Sequence, residues 1–227
     1  MSATEQDHQL GVFIQGRMLF IEDFCRKNAL DPARSLGEIK AEMLRRAGTP
    51  ERVQFLEQRV FAGTLLPTTV LPDWVDQVFL EAITRVLGGA GAKAHTTSSQ
   101  VSCIPFEAGR FNAHRQSETV FRSLYASKSP EAWLQTTFPV LYRQCYGVEA
   151  ARSLRVEEVA AGRFRIAMDN RALAKASQLD CSTVIGYLFG SLERLGAESP
   201  LVTHPECSVD PARPAELCVF EVSWAAS

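Results

Sequence analysis

The chain has 227 residues, and 46% of them are hydrophobic, which is enough for a sizeable buried core. Its 24 basic and 26 acidic residues give a net charge of −2, so overall electrostatics give no support to a nucleic-acid partner. The sequence has no run of about 20 apolar residues and no signal-peptide pattern. We therefore expect a cytoplasmic protein with no membrane span, whose six cysteines are thiols or metal ligands.

The N-terminal portion, residues 1–64, is predicted to be helical. An apolar stretch runs from Gly11 to Phe24, and a charged helix after it is broken at Gly48-Thr49-Pro50. No flexible linker separates this portion from residues 65–227. We therefore expect both portions to pack in one domain.

The middle of the chain has two helical signals. A helix is predicted to begin at Leu71-Pro72-Asp73 and to stop at Gly88-Gly89, and a loop of small and polar residues runs from Gly88 to Gln100. A second helix carries the aromatic stretch Trp133–Tyr146, and Pro139 should kink or split it.

The C-terminal part alternates between strand and helix patterns. Two strands around Val156 and Ile166 form a predicted hairpin, and a helix follows from Cys181 to Leu195. Two more strands are predicted at 200–204 and 216–224. This order predicts an α+β fold with an antiparallel sheet flanked by helices.

Four residues that could bind a metal occur in this C-terminal part. His204 and Cys207 lie at the end of one predicted strand, and Cys218 begins the returning strand on its apolar face. Cys181 lies at the start of the helix that must pack on this sheet. Three thiolates and an imidazole suit a tetrahedral metal site. Spacing alone, however, favours buried thiols.

The same segment resembles a known family. Cys181 with Gly186, Tyr187 and Gly190, then His204-Pro-Glu-Cys207 and Cys218-Val-Phe-Glu-Val, resembles the 4-vinyl reductase domain family. More weakly, most of the chain resembles myxobacterial single-domain paralogues of unknown function and the fold of small vesicle-tethering (TRAPP) subunits.

This resemblance implies a structural zinc bound by Cys181, Cys207, Cys218 and the residue in the family's acidic position, which is His204 here. Glu206 remains an alternative fourth ligand. The resemblance also implies a helix-flanked antiparallel sheet and a homodimer.

Aromatic residues suggest where a ligand could bind. As a group, they could line a pocket for an apolar or aromatic small molecule between the helices and one face of the sheet. For each residue alone, core packing is the simpler interpretation. The set is Trp74, Phe111, Trp133, Phe138, Tyr142 and Tyr187.

No nucleophile motif or phosphate-binding loop is present, and a metal with four protein ligands has no open position for water. We therefore expect a zinc-stabilised small-molecule-binding or sensory domain that is not an enzyme and that acts through a signalling protein partner. The alternatives are a protein-interaction scaffold of the TRAPP-like type and an accessory factor in tetrapyrrole metabolism.

Overall fold

A four-stranded antiparallel sheet organises the C-terminal half of the chain, in the order β3-β4-β6-β5. The computed structural model describes residues 8–63, 65–66, 68–89, 93–169 and 177–225. The strands are β3 (Arg155–Ala160), β4 (Arg163–Met168), β5 (Glu198–Glu206) and β6 (Cys218–Ala225). Helices cover this sheet and form the N-terminal half, so the predicted α+β class with an antiparallel sheet is confirmed.

The helices follow the chain from the N-terminus. They are α1 (Gly11–Lys27), α2 (Pro32–Ala47), α3 (Pro50–Phe55), α4 (Asp73–Gly88), α5 (Ile104–Glu118), α6 (Arg122–Tyr125), α7 (Pro130–Ala132), α8 (Phe138–Arg152) and α9 (Gln178–Arg194). Single π-helical turns occupy Leu56–Val60 and Trp133–Thr137, and β1 (His8–Leu10) pairs with β2 (Val70–Pro72). Within the described ranges, no helix is long and apolar enough to cross a bilayer.

Capping residues explain where several helices begin and end. Asp31 accepts backbone hydrogen bonds at the start of α2, and Gly48 ends α2 in the left-handed conformation at φ 79°. Ser177 and Asp180 form a capping box at the start of α9. The cap at Ser177 therefore holds the first turn of α9, which carries Cys181, in place.

Strand β6 lies in the middle of the sheet because its alternate side chains are apolar. Phe220 is 0% exposed and Val222 is 1% exposed, as the period-2 pattern predicts. Gly162, at φ 66°, provides the predicted turn between β3 and β4. The final strand pair also matches the prediction.

One helix differs from the sequence-based expectation. Helix α5 was not predicted, because its buried face includes Gly109, Asn112 and Gln116 and therefore lacks an apolar period. The stretch Trp133–Tyr146 is divided next to Pro139, as predicted: a π-helical turn ends at Thr137 and α8 begins at Phe138, with Pro139 in its first turn. The predicted loop Gly88–Gln100 includes residues 90–92, which lie outside the described residues.

Helices α5 and α9 approach so closely that only glycine fits at three contact positions. A Cβ atom on Gly109 would overlap the carbonyl oxygen of Thr183, and one on Gly186 would overlap that of Phe106. A Cβ on Gly190 would lie 2.8 Å from the carbonyl oxygen of Arg110. The two helices therefore pack backbone to backbone.

We predict that Gly186→Ala destabilises the protein by about 1–3 kcal/mol or more, because the added methyl forces α5 and α9 apart. Gly37→Ala is the matched control, since a Cβ at this helical position meets no atom within 4 Å. It should stabilise the protein by about 0.5–1 kcal/mol. Urea unfolding measures both changes, and equal effects would contradict the close contact.

Candidate functional site

Three cysteines and one histidine meet where α9 packs on the β5-β6 hairpin. Cys181 lies in the first turns of α9, His204 near the end of β5, Cys207 just after β5, and Cys218 at the start of β6. Their ligand atoms all lie within 4.8 Å of one another. The Cys181 sulfur is 3.7 Å from that of Cys218 and 3.9 Å from that of Cys207. The structure therefore brings together all four residues of the expected metal set.

A register shift in β5 determines which polar side chain lies next to the three cysteines. The register between β5 and β6 shifts between Thr203 and Glu206, and such a bulge redirects the side chains around it. His204 is 4% exposed within the cluster, whereas Glu206 points outward and pairs with Arg165 at 3.2 Å. Of the two expected alternatives for the fourth position, His204 is the one in contact with the cysteines.

The spacing of the sulfur atoms suits a shared metal ion. A metal–sulfur bond of about 2.3 Å and tetrahedral angles would separate two sulfurs by about 3.8 Å. The measured separations of 3.7 and 3.9 Å lie on either side of this value. No large movement is needed for the three sulfurs to bind one ion.

The cluster also favours negative charge on one thiol. Contact with Cys181 lowers the pKa of the Cys218 thiol to about 3, and the hydroxyl and backbone N–H of Ser208 lie 3.2 and 3.3 Å from the Cys218 sulfur. Contacts with the other two cysteines raise the pKa of Cys181 well above its usual value. These contacts therefore favour the thiolate at Cys218 and the neutral thiol at Cys181.

The imidazole of His204 has an unused nitrogen. Its ring stacks on Phe220 at a centroid distance of 4.3 Å, and its Nε2 atom is buried with no hydrogen-bond partner. Buried polar atoms are normally paired. The free Nε2 therefore has the capacity to accept a proton or bind a metal.

A polar pocket of about 330 Å³ lies outside the cluster. Cys181, His204 and Cys207 line its inner side, and Asp210 and Arg213 line its outer side. Cys207 is partly exposed, unlike the other three members of the cluster. A small ion can therefore reach the sulfur atoms from solvent through this pocket.

A separate apolar cavity of about 40 Å³ lies between α1, α5, α8 and α9. Three residues of the expected ligand-binding set, Phe138, Tyr142 and Tyr187, line it. The Tyr187 hydroxyl donates a hydrogen bond to Gln116 at 3.0 Å, which fixes its ring at the cavity. The other lining residues are Phe13, Arg17, Asn112, Leu141, Tyr146, Thr183 and Val184. None of these residues lies on the sheet, so the cavity is between helices and not between helices and sheet as expected.

The other three residues of that set do not line this cavity. Trp74 packs against Phe55 in the apolar cluster formed by α1, α2 and α4, with ring centroids 5.7 Å apart. Phe111 packs against the ring of Phe20 on α1. Trp133 is fully buried and packs behind the cavity residue Phe138. The expectation that all six surround one pocket is corrected, because their helices pack in different clusters.

Sequence reasoning missed the charged residue at the cavity. Arg17 is 2% exposed, and its Nε and Nη2 atoms donate two hydrogen bonds to the carboxylate of Asp76 on α4. Burial opposes the charge of Arg17, but Asp76 outweighs burial and raises the pKa of the guanidinium. A lone arginine within the apolar stretch of α1, and a lone aspartate among the apolar residues of α4, were the available signals.

Tyr142 lies between the cavity and the thiol cluster. Burial, and after it the negative charge of the Cys218 thiolate, raises the pKa of its hydroxyl. The hydroxyl is buried and has no hydrogen-bond partner. The raised pKa therefore favours the neutral hydroxyl, which can act as a hydrogen-bond donor.

Comparison with solved structures shows that this chain has the fold of H-NOX domains. An oxygen-binding H-NOX domain related to soluble guanylate cyclases has a TM-score of 0.57 and 13% identity, with 96% of each chain covered. A ferrous, unliganded H-NOX mutant from K. algicida has a TM-score of 0.57 and 11% identity, covering 96% of this chain and 98% of the other. A structure described as a study of heme distortion in the H-NOX family has a TM-score of 0.59 and 14% identity, with 96% of each chain covered. No protein-family model and no curated protein matches the sequence.

These findings correct two expectations. The resemblance to the 4-vinyl reductase family and to TRAPP subunits is wrong, because it depended on short segments, whereas the H-NOX likeness covers 96% of the chain. The structural zinc that the resemblance implied is wrong as well, because heme is the cofactor named for the H-NOX neighbours.

Proposed function

We propose that this chain is a small-molecule-binding sensory domain whose ligand occupies the cavity between α1, α5, α8 and α9. The observation that carries the proposal is the cavity itself, which has an aromatic lining that includes Phe138, Tyr142 and Tyr187. The shared fold supports it, since one structural neighbour is an oxygen-binding domain. The domain would bind its ligand without converting it and would pass the signal to a protein partner.

The cavity is suited to a compact ligand. One water-sized particle needs about 10–15 Å³, so a cavity of about 40 Å³ has room for about three. This is well below the roughly 300 Å³ at which pockets for drug-sized ligands begin. A gas molecule or a small apolar compound fits with little rearrangement.

The described residues do not fit a heme at this cavity. A porphyrin needs a pocket on the order of several hundred Å³, and the cavity has about 40 Å³. Of the histidines with described side chains, none lines it: His95 faces the polar pocket, His114 pairs with Glu193, and His204 lies in the thiol cluster. The raised pKa of Tyr142 disfavours the phenolate that an iron ligand requires.

We predict that compact apolar molecules such as cyclopentane bind with dissociation constants of about 1 mM, which corresponds to about 4 kcal/mol of binding free energy. A titration followed by the methyl NMR signals of Leu141 and Val184 measures this binding. Val184→Phe should abolish it, because the added ring fills the cavity.

Val86→Phe is the matched control for this experiment. Val86 is a partly buried valine on α4, and it packs in the N-terminal apolar cluster away from the cavity. This variant should retain binding. Undiminished binding to Val184→Phe, or the absence of binding to the unmodified protein, would contradict the proposed function.

A second proposal concerns the four-residue cluster. We propose that Cys181, His204, Cys207 and Cys218 bind a thiophilic transition-metal ion. The sulfur separations of 3.7 and 3.9 Å and the unpartnered Nε2 of His204 support it. Such an ion would attach α9 to the β5-β6 hairpin. The proposal specifies the ligand set and leaves the metal to experiment.

We predict that added Co²⁺ gives the intense sulfur-to-metal absorption of a tetrahedral thiolate site, with a stoichiometry of one ion per chain. Cys218→Ser should weaken Co²⁺ binding at least tenfold, because it removes the ligand that already carries the thiolate. Cys103→Ser is the control, since Cys103 is buried but lies outside the cluster. Identical spectra for both variants would contradict the ligand set.

We also propose that the chain forms a homodimer. Val70 is the first residue of β2 and Leu66 lies four residues before it; they are 55% and 63% exposed, so an apolar surface is available for a partner. Light scattering should give a mass near twice 25.1 kDa. A Val70→Asp variant should shift the mass to that of one chain, and a single-chain mass for the unmodified protein would contradict the dimer.

A further inference from the structure

The apolar cavity has buried polar atoms in its lining that no protein group pairs with. Arg17, Asn112 and Tyr142 all line the cavity and are 2%, 1% and 4% exposed. Arg17 Nη1 and the Tyr142 hydroxyl have no hydrogen-bond partner. Asn112 Oδ1 is also unpaired, but it packs against Gly16, where a Cβ atom would lie 1.9 Å from it. Buried polar groups are normally satisfied, so Arg17 and Tyr142 leave two donors unsatisfied beside this cavity.

Arg17 indicates the kind of ligand best, because only part of its guanidinium group is hydrogen-bonded within the protein. Nε and Nη2 both donate to the carboxylate of Asp76, which occupies two donor positions and balances the positive charge. The Nη1 group remains a donor without an acceptor. Because Arg17 lines the cavity, an unsatisfied donor of an electrically neutral pair lies beside it.

Because the ion pair between Arg17 and Asp76 has no net charge, it favours an uncharged ligand. An anion would leave a negative charge without a counterion, because Asp76 already balances Arg17. A neutral acceptor satisfies Nη1 and adds no charge to the buried pair. The Tyr142 hydroxyl adds a second neutral donor to the same lining.

We propose that the ligand is a compact, uncharged molecule with one carbonyl-type oxygen. The oxygen accepts hydrogen bonds from the donors of the lining, with Arg17 Nη1 as the principal one, and the apolar part of the ligand contacts Phe138 and Tyr187. This inference rests on the proposed function, because it assigns the chemical class of the ligand in the same cavity.

Cyclopentanone and methylenecyclopentane test the inference because they have the same shape and differ only in an oxygen and a CH₂ group. Methyl NMR titrations of the full chain should give at least about tenfold tighter binding of cyclopentanone, which corresponds to about 1.4 kcal/mol. Cyclopentanecarboxylate, an anion with the same ring, should bind more weakly than cyclopentanone.

Two variants assign the preference to residues. Arg17→Lys keeps the ion pair with Asp76 but removes Nη1, so the preference for cyclopentanone should fall at least threefold. Tyr142→Phe keeps the ring and removes a hydroxyl that has no partner, so the fold should survive while cyclopentanone binding weakens. Arg110→Lys is the control, since Arg110 makes the same kind of two-bond pair with Glu193 outside the cavity.

The outcomes separate this inference from the proposed function. Equal affinities for cyclopentanone and methylenecyclopentane would overturn the carbonyl assignment and leave the sensory proposal standing. If neither compound binds, the proposed function itself fails. An unchanged preference in both Arg17→Lys and Tyr142→Phe would overturn the role of these donors.

Discussion

The backbone contact between α5 and α9 is the constraint on which the rest of the structure depends. Side chains larger than hydrogen at Gly109 and Gly186 would overlap main-chain atoms of the facing helix. With the two helices in contact, Asn112 and Tyr187 line the same cavity from opposite elements. Interiors are close-packed, so a cavity between such helices persists only where rigid backbones prevent collapse.

Helix α9 connects the two candidate sites. Its first turns carry Cys181 in the thiol cluster, and its next turns carry Val184 and Tyr187 at the cavity. Tyr142 on α8 lies near both, since it lines the cavity and the charge of Cys218 acts on its hydroxyl. A ligand that shifts α9 would therefore alter the geometry of the cluster, and coupling of this kind is reciprocal in binding free energy. Under the proposed sensory function, this arrangement provides a physical link between ligand binding and a second site.

The sequence predicted local features well and their arrangement less well. The alternation of apolar and polar side chains predicted that Cys218 points into the core and that its strand forms part of a hairpin. The structure has both features. Helix α5 escaped prediction because glycine, asparagine and glutamine occupy its buried face. Trp74 and Phe111 were grouped with the pocket because helical periodicity does not specify which helix faces which. A short cysteine motif likewise indicated the wrong family, whereas nearly the whole chain has the fold of H-NOX domains.

Diffraction from crystals pressurised with xenon tests the central claim, which is an apolar ligand cavity between α1, α5, α8 and α9. Xenon enters dry apolar cavities and is located directly by its anomalous scattering. The account predicts a xenon atom in contact with Phe138, Tyr142 and Tyr187. Xenon bound only elsewhere, with these side chains packed together and no space between them, would contradict it.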